Sequence, residues 1–261
     1  MVARKITFHI GKGGSGKTRG TVEIAVNLAG LGYRVLTVDL DQQADLTKSF
    51  GYETDIKVLK FTTYDLLLNP EVNPLTYAVL QTPYGVDLIP ATRELRGAND
   101  QLAGEYGREL KLKQALEHLV NEYDYILIDT PPGTGVILAN ALVASDSVIV
   151  PLETKDEAWN QVAELEELIR KLKPLNSTLK IDGIFLNKVR ATLLSREIEK
   201  RAREKYHDLV FNSAIPDNTH LAEAYLARRP ATVYAPTSVG SMAYKSLTQE
   251  LEDRYGTTRP K

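Results

Sequence analysis

The run Gly11-Lys12-Gly13-Gly14-Ser15-Gly16-Lys17-Thr18 constrains this chain more than any other feature. It fits the spacing G-x-x-x-x-G-K-[ST], and it sits between a short β pattern, Lys5–Ile10, and a helical pattern, Thr18–Leu31, that Gly32 closes. The residue types have physical reasons. Glycines let successive backbone N–H groups turn inward toward phosphate oxygens, in conformations that a side chain obstructs. The helix starting near Lys17 points the positive end of its dipole at the same anion. Lys17 is expected to reach the β- and γ-phosphates, and the Thr18 hydroxyl to ligate Mg²⁺. The nucleotide-binding set is therefore expected to run from Gly11 to Thr18, with Arg19 beside it.

Strand and helix patterns alternate from end to end, which argues for βαβ units and a mainly parallel sheet. Further strands are expected at Arg34–Asp39, Val86–Ile89, Tyr125–Asp129, Ser147–Val150, Ile181–Leu186 and Leu209–Ala214. Tyr125–Asp129 is nearly all apolar before its aspartate, which suits a central strand buried on both faces. Helices are expected at Arg108–Glu122, with Leu110, Leu112, Leu116 and Leu119 as the apolar stripe, and at Asp156–Leu172, Ser195–Tyr206, His220–Leu226 and Val239–Tyr255. Gly51–Gln101 is the least periodic stretch and reads as surface elaboration. No internal repeat, linker or composition shift divides the chain, so residues 1–261 read as a single domain of the three-layer α/β class, a twisted parallel sheet with helices on both faces.

Composition excludes several classes. Without cysteine, disulfides and cysteine-held zinc or iron–sulfur clusters are impossible, and a reducing cytoplasm is the expected location. His9, His118, His207 and His220 show no metal-ligand spacing. The formal net charge of −2 gives no whole-molecule positive field, so any nucleic-acid contact needs a local patch. No run approaches the length of a membrane span, and the acidic, sparsely apolar Leu247–Gly256 reads as a solvated surface helix.

Two acidic runs follow strands in the order the phosphate loop requires. Asp39-Leu40-Asp41 ends one strand, and Asp129-Thr130-Pro131-Pro132-Gly133 ends another. In open α/β sheets ligands sit at the carboxyl ends of strands. An aspartate there can hold Mg²⁺ through water beside the phosphates.

With its second lysine, Lys-Gly-Gly-Ser-Gly-Lys-Thr resembles the deviant Walker A signature of the ParA/MinD group of P-loop ATPases. The resemblance extends over most of the chain, through Asp39–Gln43, Ile126–Gly133, Leu186-Asn187-Lys188, Ala214–Asn218 and Leu221–Ala224. It implies ATP and Mg²⁺ as cofactors and a homodimer formed with ATP. Lys12 would reach the partner's nucleotide in trans, Asp41 would position the attacking water, Asp129 would hold Mg²⁺ through water with Asp39 as a further candidate, and Asn187 and Pro216 would lie near the adenine. Lys155, after a strand end, is a further lysine considered for the phosphates. Arg19 replaces a usual threonine and Gln42 a usual proline, which leaves the fine behaviour of the switch open.

Within the group, iron proteins and arsenite pumps need cysteines. The remaining resemblance is to ParA-like partition and positioning ATPases, which implies nonspecific double-stranded DNA, a cargo-bound activator and nucleoid association. Candidate DNA-facing cations are Lys188, Arg190, Arg196, Lys200, Arg203, Arg228, Arg229 and Lys245. Interleaved Glu197, Glu199 and Glu204 equally fit a solvated charged face, and Asp217 and His220 stand where relatives often carry arginines. A scaffold ATPase acting through protein partners without DNA, and a metabolic enzyme of the amide-ligase type, are the other two readings.

Overall fold

The computed structural model describes residues 2–55, 58–155 and 158–255. Its strands are β1 (Arg4–Phe8), β2 (Val35–Asp39), β3 (Leu80–Gln81), β4 (Val86–Ile89), β5 (Tyr125–Asp129), β6 (Ser147–Glu153) and β7 (Ile181–Asn187). Its α-helices are α1 (Lys17–Gly30), α2 (Asp45–Ser49), α3 (Thr63–Leu68), α4 (Pro74–Tyr77), α5 (Ala98–Leu102), α6 (Lys111–Leu116), α7 (Val136–Ala144), α8 (Ala158–Leu172), α9 (Leu193–Tyr206), α10 (Thr219–Leu226), α11 (Ala231–Tyr234) and α12 (Val239–Tyr255).

The strands form one sheet in the order β3-β4-β2-β5-β1-β6-β7, parallel except for the edge strand β3. Alternation along β5 shows why it is the centre. Ile126 and Ile128 face a cluster built with α3, α6 and α7. Tyr125 and Leu127 face the opposite cluster, which holds α1 and α12 through Val22, Leu28, Tyr244, Leu247 and Leu251. Side chains two apart share a face of a strand, so a continuously apolar strand feeds both layers. Helices thus cover both faces of a mainly parallel sheet, the expected P-loop architecture.

Register then places the chemistry. Asp129 pairs across the sheet with Phe8 on one side and with Asp39 on the other. The phosphate loop, the Asp39-Leu40-Asp41 turn and the Asp129 segment therefore leave the sheet at one level, at its carboxyl edge.

The structure corrects several expectations. Leu209–Ala214 is not a strand. Val210 and Pro216 make only isolated bridges to Ile184 and Val189, because the Asn212 and Ser213 amides donate to the Glu250 carboxylate, at 2.7 and 2.8 Å, and not to β7. The Arg108–Glu122 pattern divides into a 3₁₀ turn, Arg108–Leu110, and the short α6, and ends in tight turns before β5. The strand expected at Ser147–Val150 continues to Glu153. The start expected for α8, Asp156, lies outside the described residues. Gly51–Gln101 is more than surface, since Leu66, Leu67, Leu95 and Ala98 are fully buried in the core. The C-terminal helix is not merely solvated: Tyr244, Leu247 and Leu251 are buried against α1. No helix among the described residues is long and apolar enough to cross a membrane.

Candidate nucleotide site

A cavity of about 760 Å³ opens at the carboxyl edge of the sheet. Gly13–Arg19 form one side, Asp41–Gln43 and Pro131-Pro132 another, and Asn187, Pro216 and the α10 residues Leu221, Ala222 and Tyr225 a third. The volume suits a nucleotide-sized ligand.

The loop is held from both sides. Lys17 Nζ donates to the carbonyls of Ile10, at 3.2 Å, and Lys12, at 3.0 Å. Ser15 Oγ also donates to the Lys12 carbonyl. Asn187 Nδ2 donates to the Ser15 carbonyl at 2.6 Å. Lys188 Nζ donates to the Gly14 carbonyl at 2.6 Å and pairs with Glu153 Oε1 at 2.6 Å. Lys188 is thus a strut between the loop and the ends of β6 and β7. Lys155 is drawn to Glu153, 3.0 Å away, and not to the loop.

Burial holds the Lys17 ammonium below the usual lysine range, while Asp129 and Asp41 pull the other way. Burial pushes the Asp129 carboxyl well above the usual carboxylate range, and the neighbouring Asp39 adds to the rise. Thr18 faces Asp129 and tempers that rise, yet neither buried Asp129 oxygen has a hydrogen-bond partner of ordinary geometry. A buried carboxylate with two unsatisfied oxygens beside a threonine hydroxyl fits a hydrated hard cation. Asp39 differs. It is pushed up to about 7 by burial, but its oxygens are already used. Oδ1 accepts from the Asp41 amide at 3.1 Å, and Oδ2 accepts from the Thr47 amide and hydroxyl at 2.9 and 2.7 Å. Asp39 therefore shapes the turn that presents Asp41.

Asp41 lines the cavity, and burial raises its pKa against the pull of Lys17 and Lys48. Lys12 does not line this cavity. It borders a separate recess of about 370 Å³ with His9, Gly133, Thr134 and α8, and its amide donates to Gln161 Oε1 at 3.1 Å. Arg19 sends its guanidinium to Glu23 and to the Leu221 carbonyl, each at 3.0 Å.

Sequence reasoning missed three supporting groups. Glu153 ends an apolar strand as Asp129 does, and that placement was its signal. Glu23 and His9 carried none, being single polar residues inside apolar patterns. His9 lies behind the loop, with Nδ1 2.8 Å from Thr130 Oγ1. Thr130 Oγ1 itself donates to the Phe8 carbonyl, so His9 Nδ1 is the donor in this pair. Burial, with Lys17 second, lowers the His9 pKa to about 3. The unfolded chain therefore binds this proton below about pH 6.5 while the folded chain does not, and stability is lost as the pH falls from there toward 3. His9→Asn keeps an N–H donor but does not titrate. In urea titrations between pH 7 and pH 4, we expect its stability to fall less than the wild type's by a few kcal/mol, on the order of 1.4 per pH unit. Parallel losses in the two proteins would show that His9 is not the proton-linked group.

The eight cations proposed for DNA separate into two sets. Five have carboxylate partners: Lys188 with Glu153, Arg190 with Asp217, Lys200 with Glu204, Arg203 with Glu199 and Arg228 with Glu53. Arg196, Arg229 and Lys245 are exposed and show no ion pair among the described residues. The cations are not gathered into one unopposed patch.

A glycine loop between a central strand and its helix, a buried lysine, and an aspartate level with the loop across the sheet together define a P-loop nucleotide-binding protein. The AAA domain family matches residues 3–181. The sporulation initiation inhibitor protein Soj of Bacillus subtilis is 36% identical over 243 residues, 92% of this chain and 94% of that protein. Among solved structures, a cobyrinic acid a,c-diamide synthase from Mycobacterium smegmatis with bound ATP analogue and magnesium matches at 31% identity and TM-score 0.83, covering 99% of both chains. A plasmid partition protein of Borrelia burgdorferi bound to AMPPNP matches at 25% identity and TM-score 0.82, covering 97% of this chain and all of that one. The chain belongs to the ParA-like P-loop ATPases, and ATP and Mg²⁺ are its cofactors.

Proposed function

We propose that this ATPase positions or segregates an intracellular cargo (a plasmid, a chromosome or a protein compartment) by nucleotide-gated binding to nonspecific double-stranded DNA. Two subunits close face to face around two ATP·Mg²⁺. Lys17 and the loop amides bind the phosphates in cis, and Lys12 meets the partner's nucleotide in trans. Thr18 and Asp129 hold Mg²⁺, the latter through water, and Asp41 orients the attacking water. Asn187 and Pro216 lie on the base side. Hydrolysis is slow alone and is stimulated by a cargo-bound activator, so the nucleotide state acts as a timer. The protein works in the cytoplasm, on the nucleoid.

One observation carries the dimer reading. Lys12 belongs to the phosphate loop yet borders a recess other than the loop's own cavity. A cation so placed meets phosphate only when a second nucleotide is brought to it. The partition role is supported by the Borrelia relative, whose name gives plasmid partition. A scaffold role without DNA is the second reading, favoured by the five ion-paired cations. Apart from Lys188, which the buried Glu153 holds, these pairs are solvent-accessible and worth roughly 1 kcal/mol or less each, so phosphates can compete for those four cations.

Light scattering separates the two readings. We expect monomers with ADP and dimers with ATP, retained on random duplex DNA at low salt and released as salt rises. Lys12→Ala should bind nucleotide but fail to dimerise. ATP dimers that ignore DNA at every salt concentration would leave the scaffold reading, and unchanged dimerisation of Lys12→Ala would remove the trans role.

A further inference from the structure

Arg19 directly follows Thr18 in the phosphate-loop helix, and the proposed mechanism gives it no task. Its guanidinium turns away from the loop. Nη1 donates to Glu23 Oε1, one turn further along α1, and Nη2 donates to the Leu221 carbonyl of α10, each at 3.0 Å. The Arg19 side chain is 13% exposed, and that of Glu23 is wholly buried. Glu23 is held in turn by the first amides of α11. Ala231 donates to Oε1 at 2.6 Å and Thr232 to Oε2 at 2.9 Å. One buried ion pair, rooted in the first two turns of the phosphate-loop helix, thus grips two C-terminal helices by their backbones.

Those helices matter to the ligand because α10 is a wall of the cavity. Leu221, Ala222 and Tyr225 face into it across from the loop. The Tyr225 ring lies 5.9 Å from the Arg19 guanidinium carbon, and burial, with the neighbouring Asp45 carboxylate second, raises the pKa of its phenol. A short helix of this kind has few contacts of its own, so its distance from the loop is set by what ties it down. Two aliphatic side chains and a phenol ring offer a surface for the face of a purine, not for a phosphate.

We infer that Arg19 is a positioning residue for the nucleobase: with Glu23 it fixes the α10 wall at the depth a purine needs, from the same helical turn that holds the phosphates. The inference rests on this cavity being the nucleotide site. A phosphate-only ligand never touches the wall and does not sense the clamp, whereas ATP does. A hydrogen bond from a charged donor contributes enough that its loss is expected to weaken ATP binding roughly tenfold.

Calorimetry with MgATP and with magnesium tripolyphosphate tests this on the full-length protein. For Arg19→Met we expect ATP affinity to fall about tenfold while tripolyphosphate affinity holds within about twofold. Arg19→Lys, which keeps a donor of the same charge, should recover part of the loss. Hydrogen exchange across 219–226 should quicken in Arg19→Met at unchanged protection of β1 and β5. Equal losses for both ligands would mean that Arg19 serves the phosphates and would overturn the inference, as would unchanged ATP binding. Should Arg19→Met not fold, Arg19→Lys tests the same selectivity, a smaller loss for ATP that tripolyphosphate does not share. Failure of tripolyphosphate to bind the wild type would instead count against the cavity as the phosphate site.

Discussion

Gly16→Ala is expected to abolish measurable ATP binding and to destabilise the fold by about 2–5 kcal/mol, in two separable parts. Gly16 sits at φ 100° in the left-handed region, immediately before α1. A side chain there costs about 1–2 kcal/mol by backbone sterics alone. The second part is collision. A Cβ on Gly16 would lie 2.1 Å from Asn187 Nδ2, the atom that donates to the Ser15 carbonyl. Asn187 is buried at the end of β7, so it yields only by giving up that bond, and the orphaned groups cost about 1–3 kcal/mol more. The loop then loses the contact that sets its distance from β7, and its amides no longer converge on one anion. Gly14→Ala is the matched control. Gly14 is also left-handed, at φ 73°, but nothing lies within 4 Å of its added Cβ, so in its denaturant midpoint it should show the backbone cost alone. Denaturant midpoints and ATP titrations of both variants decide the matter. A Gly16→Ala protein no worse than Gly14→Ala would mean that the Asn187 contact does not hold the loop.

That contrast marks what the chain discloses by itself. The loop, its flanking strand and helix, and the two aspartates were legible because each is a local pattern with one physical reading, and sheet register brings Phe8, Asp39 and Asp129 level. The all-apolar β5 was legible for the same reason. The helix α7 was not. Val136–Ala144 is almost uniformly apolar and buried, so it shows no helical period to distinguish it from a strand or a linker. The extended run at 209–214 looked like a strand because periodicity reports burial, while strand pairing depends on where the amides go, and two of them go to Glu250, some 38 residues away in sequence. The supports of the site were hidden in the same way. The roles of Lys188, Glu153 and Glu23 follow from contacts between distant segments, which no local spacing encodes.

The same distinction separates Asp39 from Asp41, which the sequence presents as equivalent carboxylates. Asp39 spends its oxygens on Asp41 and Thr47 and is wholly buried. Asp41 keeps one oxygen uncommitted, since only Oδ1 accepts a backbone bond, from Gln43 at 2.9 Å. Removing Asp39 should therefore damage the turn, whereas removing Asp41 should damage chemistry.

Asp41→Ala is accordingly expected to lower ATP turnover by about 10²–10⁴-fold, the range for losing a positioned acid–base group, with ATP affinity within about threefold of the wild type. The groups proposed to hold the ligand in cis (loop amides, Lys17, Thr18 and Asp129) are untouched, and the proposed ATP-driven dimerisation should survive. The proposed dimer should persist longer, because in that reading hydrolysis is the step that dissolves it. The structural penalty is small: the Gln43 amide loses an exposed acceptor, while the turn keeps its bond from the Ala44 amide to the Asp41 carbonyl, at 2.9 Å. Asp41→Asn sharpens the test. It retains an acceptor for Gln43 but cannot orient or deprotonate water as a carboxylate does, so it should match Asp41→Ala in turnover and exceed it in stability. Single-turnover hydrolysis beside nucleotide titration makes the measurement. Wild-type turnover in either variant would remove Asp41 from the reaction, and a loss of ATP binding equal to the loss of turnover would make it a ligand-holding group and not the one that orients water.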